Sequence, residues 1–150
     1  MLTDLVLAIL HHLAIVSLIA ILAFESALLR PGITPQNLSR VTRVDAGYGV
    51  TAGLVIVIGV CRVIWGIKGA GFYLSNPWFW AKMASFAAIG LFSIPPTLAL
   101  LKWRKQSRSD VAFVPPDAEI ARLRGFIGAQ VGLLALVVAF AAAMARYGGF

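Results

Sequence analysis

LVLAILHHLAIVSLIAILAFESALL, residues 5–29, decides the fold. In about 25 residues, only His11, His12, Ser17, Glu25 and Ser26 interrupt the apolar run. At about 1.5 Å of rise per residue, about 20 such residues cross the hydrocarbon core of a bilayer, so the stretch predicts a transmembrane helix. It follows Met-Leu-Thr-Asp directly, with no positive start and no small-residue cleavage pattern, and therefore reads as a retained helix rather than a signal peptide. The run stops at Arg30-Pro31-Gly32, and the polar stretch onward to about Asp45 reads as a loop from its Pro, Gln, Asn and Ser.

Three more runs follow, at about 48–67, 78–103 and 125–145. The second carries Gly49, Gly53, Gly59 and Gly66, small residues that let membrane helices approach closely. A short turn over about 68–77 leads to the third, which contains Pro95-Pro96. In a bundle, neighbours and Ser93 can satisfy the carbonyls that such a pair frees, so a kink and a break both remain open. The fourth holds nothing more polar than Gln130 before its Ala141-Ala142-Ala143 end. The fold class expected is all-α, a four-transmembrane-helix antiparallel bundle forming one membrane domain.

Composition agrees. The chain has 150 residues, 60% hydrophobic and 13% charged, with a mean hydropathy of +0.89. Ordinary soluble domains run at about 45–50% apolar and about 25% charged. Four spans leave about 60 residues for termini and loops, too few for a separate soluble catalytic domain. The 13 Lys+Arg against 6 Asp+Glu give a net charge of +7, which in a soluble protein would suggest a nucleic-acid partner. Here the positives flank apolar runs, so they report topology and no nucleic-acid partner is expected. A single cysteine, Cys61, allows neither an intrachain disulfide nor a cysteine metal cage.

The loops orient the bundle, because Lys and Arg stay on the cytoplasmic side. Arg30, Arg40, Arg43, Lys102, Arg104, Lys105, Arg108, Arg122 and Arg124 lie at one end, and only Lys68, Lys82 and Arg146 at the other, with Arg62 inside a span. Nine against three places both termini outside, which in a bacterial inner membrane is the periplasm. Trp65, Tyr73, Trp78 and Trp80 would then form an outer aromatic belt, and Trp103 an inner one. The connection over about 106–116 is the expected mobile piece.

Ionisable residues within spans are costly and usually face the bundle interior, so each is a candidate. The topology brings His11, His12, Arg62, Lys82 and Met144, with Arg146, to one outer layer. Each has a bland reading beside the chemical one. A membrane histidine commonly serves as a hydrogen-bonding packing residue. Lys82 and Arg62 are close enough to the interface to snorkel, and Met144 alone is core filler. Glu25, two heptads from His11 on nearly the same face but at the inner end, reads as the partner of an inner-loop arginine or of Gln130. Convergence favours chemistry: a histidine and two cations at one level suit an anionic ring cofactor, haem b, with His11 ligating the metal and the cations meeting propionates. Adjacent His11 and His12 diverge by about 100° on a helix and cannot sandwich one iron. The sixth ligand is then Lys82, Met83, Met144, a residue of another subunit, or none.

Dinuclear carboxylate–histidine motifs, phosphate loops, a Ser-His-Asp order and zinc signatures are absent from the sequence. A transporter would favour internal repeats and broken helices in paired positions, and only Pro95-Pro96 offers a break.

The chain as a whole resembles a family of small bacterial inner-membrane proteins with four helices, described only as a domain of unknown function. The resemblance rests on His11-His12-Leu13-Ala14 with Glu25-Ser26, on the run from Tyr73-Leu74-Ser75-Asn76-Pro77-Trp78 to Lys82-Met83, on Ser93-Ile94-Pro95-Pro96-Thr97, and on Arg122-Leu123-Arg124 leading to Met144-Ala145-Arg146. More distantly it is similar to HemJ-type protoporphyrinogen oxidases and to CopD-like copper-resistance membrane proteins. The HemJ-like resemblance implies haem binding at His11 and places that family's third-helix lysine on Lys82. Where that family carries Asn-Glu-x-Pro in its last helix, this chain reads Ile127-Gly128-Ala129-Gln130. Three function classes follow: a haem b membrane protein in redox or porphyrin chemistry, a non-catalytic accessory subunit of a larger membrane complex or homo-oligomer, and a small transporter or copper-handling protein. The few methionines count against copper.

Overall fold

All four apolar runs are helices in the computed structural model, which describes residues 2–147. α1 spans Leu2–Leu28, α2 Pro35–Trp65, α3 Gly69–Leu74, α4 Pro77–Ser109 and α5 Asp117–Arg146. α1, α2, α4 and α5 are each long and apolar enough to cross a membrane. Among the described residues there is no strand, so the all-α expectation holds.

The helices overrun the apolar runs at the basic end. α2 begins at Pro35 rather than near residue 48. The Thr34 hydroxyl accepts from the Asn37 amide at 3.3 Å, and Pro35 takes the first helical position, where its missing amide hydrogen costs nothing. The residues that suggested a loop are thus a capped helix start. Beyond it, Leu38, Val41, Thr42, Asp45 and Tyr48 fall on one helical face, and all five are buried. α4 likewise continues to Ser109, and α5 starts at Asp117, which shortens the connection expected over 106–116 to 110–116. Asp110 folds that connection back, its carboxylate accepting from the Ala112 amide at 2.9 Å. The turn expected over 68–77 contains the six-residue α3, and Asn76 caps α4 by accepting from the Trp78 amide at 2.9 Å.

Around the bundle, α1 packs on α2, α2 on α4, α4 on α5 and α5 on α1, leaving α1 and α4 on one diagonal. The ring closes a core of Leu18, Leu22, Leu38, Ile89, Leu100 and Ile127, among others. The outward faces carry large apolar side chains such as Val16, Val50 and Leu91, as lipid contact requires. Gly59 does give α1 a close approach. Gly49 and Gly53 do not, since nothing comes within 4 Å of a Cβ built at either.

Polar contacts fasten the ends. Asp4 Oδ1 accepts from the Ile67 amide at 3.2 Å, joining the start of α1 to the end of α2. At the basic end, Asp117 Oδ1 accepts from the Gly32 amide at 2.9 Å, where Gly32 turns the chain at φ 71°. Arg124 donates to the carbonyls of Ser26 and Leu29 at 3.0 and 2.8 Å, capping α1 from α5. Trp103 departs from the expected inner belt: it is 1% exposed, and its indole N–H donates to Glu119 at 3.2 Å. Trp65 and Trp80 are exposed at the other end, as a belt requires.

α4 runs unbroken through Pro95-Pro96. Two prolines leave two carbonyls, those of Leu91 and Phe92, without their amide partners. Ser93, the expected helper, instead donates to Gly90. Gln130 of α5 supplies the Phe92 carbonyl from its side-chain amide at 3.3 Å.

Candidate functional site

Two polar layers cross the interior. The first lies toward the end of the bundle where α1 and α4 begin. His11 is on the inward face of α1 with Leu18, Leu22 and Glu25, and its ring lies against α2 at Gly59, where an added Cβ would come within 3.3 Å of His11 Cε1. Glycine is what leaves room for the imidazole. Arg62 stands three residues further along α2, and Lys82 lies a turn and a half into α4. His11, Arg62 and Lys82 are within electrostatic reach of one another, across the diagonal of the ring.

Two buried nitrogens in this layer, His11 Nδ1 and Arg62 Nε, have no hydrogen-bond partner. The charged groups that act on His11 are Lys82, Arg62 and His12, all bases. Lys82 Nζ lies 5.2 Å from the Phe79 ring centroid, a cation–π contact that leaves its hydrogens available. Donors and positive charge gathered in one layer suit an anion with acceptor oxygens.

His12 is exposed, with Nδ1 2.6 Å from the Ala8 carbonyl of its own helix. Met144 is half-buried near the end of α5, and Met83 is on the outer surface of α4. Against a haem, the donor chemistry of His11, Arg62 and Lys82 fits. The clefts lined by Phe24, Arg40, Arg43 and Val44 and by Arg43, Arg104 and Arg108 lie at the opposite, basic end of the bundle.

The second layer is acidic. Glu25 is 2% exposed and Asp45 7%. The arginine partner expected for Glu25 is not there: Arg124 caps carbonyls instead, and Glu25 Oε1 has no hydrogen-bond partner. Glu25 is instead within electrostatic reach of Asp45 and Tyr48 of α2. Asp45 is held by Thr97 of α4, whose hydroxyl donates to Oδ1 at 2.9 Å. In the sequence Asp45 closes a polar stretch that reads as a loop, which conceals it. The signal that could have found it is the spacing Leu38, Val41, Thr42, Asp45 and Tyr48, a helical face that begins before the apolar run. Among the described residues no cluster of three or more His, Cys, Asp or Glu is arranged to hold a metal ion.

The family described as Predicted membrane protein (DUF2214) matches residues 3–149. This agrees with the resemblance to a membrane family of unknown function; similarity to HemJ-type or CopD-like proteins is not shown by it. Searches of curated proteins and of solved structures found no match.

Proposed function

Because the chain belongs to the predicted membrane protein family DUF2214 and carries four helices able to cross a bilayer, we propose that it is an integral membrane protein binding an anionic cofactor, haem b, at the layer of His11, Arg62 and Lys82. One observation carries the reading: buried His11 Nδ1 and Arg62 Nε lack hydrogen-bond partners, and the charged groups that act on His11 are bases. His11 would hold haem through its imidazole and Arg62 and Lys82 through their charge, and the bound group would supply one-electron redox chemistry. His12, turned outward, has no part in ligation.

The experiment is an absorption spectrum of protein purified in detergent from cells supplied with haem precursors. A Soret band that disappears in His11→Ala and persists in His12→Ala supports the proposal. Wild-type protein without a Soret band sinks it.

A second reading, an accessory subunit or homo-oligomer, rests on a different observation. Gly49 and Gly53 lie four residues apart on an exposed face of α2 with open space before them, the small-residue spacing through which membrane helices associate. Native mass spectrometry showing a dimer or a co-purified subunit that is lost in Gly53→Leu would favour it. The proposed location is a bacterial inner membrane with the basic end in the cytoplasm and both termini in the periplasm, supported by the nine-to-three division of bases.

A further inference from the structure

At the basic end, the ends of α2 and α4 frame a cleft of about 230 Å³, lined by Ser39, Thr42, Arg43, Arg104, Ser107 and Arg108 among others, with no carboxylate in its lining. The gathering is more specific than a positive loop. Arg104 and Arg108 are one helical turn apart, a like-charge spacing that repels unless an anion comes between. The hydroxyls of Thr42 and Ser107 donate to the carbonyls of Leu38 and Arg104. The Arg43 Nε hydrogen goes to the Ser39 carbonyl at 3.4 Å. Recognition therefore falls to the guanidinium ends, which match phosphate oxygens in pairs.

The level of the cleft identifies the anion. Arg104 follows directly on the third apolar run, and Arg43 precedes the second by about five residues, or about 7 Å of helix. That is the depth of lipid headgroups. Arg43 also lines a second cleft with Arg40, Phe24 and Val44, so one arginine joins the basic cleft to a surface that carries apolar side chains. A free phosphate would use the first cleft alone, whereas a phospholipid uses both.

We infer that this cleft binds the phosphate of an anionic glycerophospholipid from the leaflet at the basic end, held by Arg43, Arg104 and Arg108, with an acyl chain along Phe24 and Val44. Basic pockets between membrane helices recognise lipid headgroups in this way.

The test compares the full-length protein in detergent micelles with added phosphatidylglycerol, phosphatidylcholine or inorganic phosphate, read by thermal melting and by lipid retention in native mass spectrometry. Phosphatidylglycerol is expected to raise the melting temperature and to be retained, and phosphatidylcholine to do neither. Each of Arg43→Gln, Arg104→Gln and Arg108→Gln is expected to weaken retention about fivefold. All three arginines are exposed, so the variants should fold. Lys102→Gln with Lys105→Gln removes charge from the same end, outside the cleft lining, and should leave retention unchanged. Equal loss in the lysine variant would reduce the effect to general surface charge and overturn the inference. So would a full stabilising effect from inorganic phosphate alone, or no preference for phosphatidylglycerol.

Discussion

Gln130 Nε2 donates to the carbonyl of Phe92 at 3.3 Å, and Phe92 stands four residues before Pro96, whose ring nitrogen has no hydrogen to offer it. A side chain of α5 thus replaces a backbone bond that α4 cannot make. In hydrocarbon an unsatisfied carbonyl has no water to turn to. This accounts for one of the two carbonyls that the prolines free, and for why the most polar residue of the last span is 1% exposed.

Gln130→Leu should cost about 1–3 kcal/mol, the penalty of leaving a buried acceptor unpaired. In a Pro96→Ala background the new amide hydrogen takes the Phe92 carbonyl, so the same substitution should cost markedly less. A double-mutant cycle by denaturant unfolding in micelles measures the difference. Strict additivity would show that Gln130 does not serve the proline gap.

Glu25 is within electrostatic reach of Asp45 and Tyr48, while Arg124 is taken by backbone carbonyls, which inverts the usual expectation for a buried acid. Glu25→Gln should leave the melting temperature unchanged or raise it, because it removes one of two facing carboxyl groups and retains hydrogen-bonding capacity. Glu25→Gln melting well below wild type would establish an ionic partner for Glu25 after all.

Asp45→Ala leaves the Thr97 hydroxyl without its acceptor, whereas Asp45→Asn keeps one. The alanine variant should lose about 1–2 kcal/mol more than the asparagine variant, and combination with Thr97→Val should remove that difference. Denaturant melts of the four proteins decide it.

Gly59→Ala places a methyl group 3.3 Å from His11 Cε1, tighter than ordinary contact, whereas Gly53→Ala meets nothing within 4 Å. The first should destabilise the protein or displace the imidazole. The second should be neutral or stabilise α2 by up to about 1 kcal/mol, the difference in helix propensity. Equal melting temperatures for the two variants would mean that the ring is free to move aside.

A reporter fused after Phe150 should be active in the periplasm and silent in the cytoplasm, and one inserted in the connection at 110–116 should behave in the opposite way. The nine bases at that end set the expectation. Reversed activities would put His11 at the cytoplasmic level.

The number of spans, the helical class, the gathering of bases at one end and the convergence of His11, Arg62 and Lys82 were legible in the sequence. They depend on apolar run length and on depth along a helix of fixed rise, both of which are local quantities. Tertiary structure decided the rest. The start of α2 at Pro35 depends on a buried face whose partners lie on other helices, so hydropathy alone ended the span at its apolar part. Glu25 meets Asp45 instead of an arginine because rotation about the helix axis, not depth, selects a partner. Trp103 is buried rather than interfacial because α5 extends past the membrane run and brings Glu119 to its indole. In the sequence Gln130 reads as a candidate partner of Glu25, and only the packing of α5 on α4 sets it opposite the carbonyl that Pro96 leaves free.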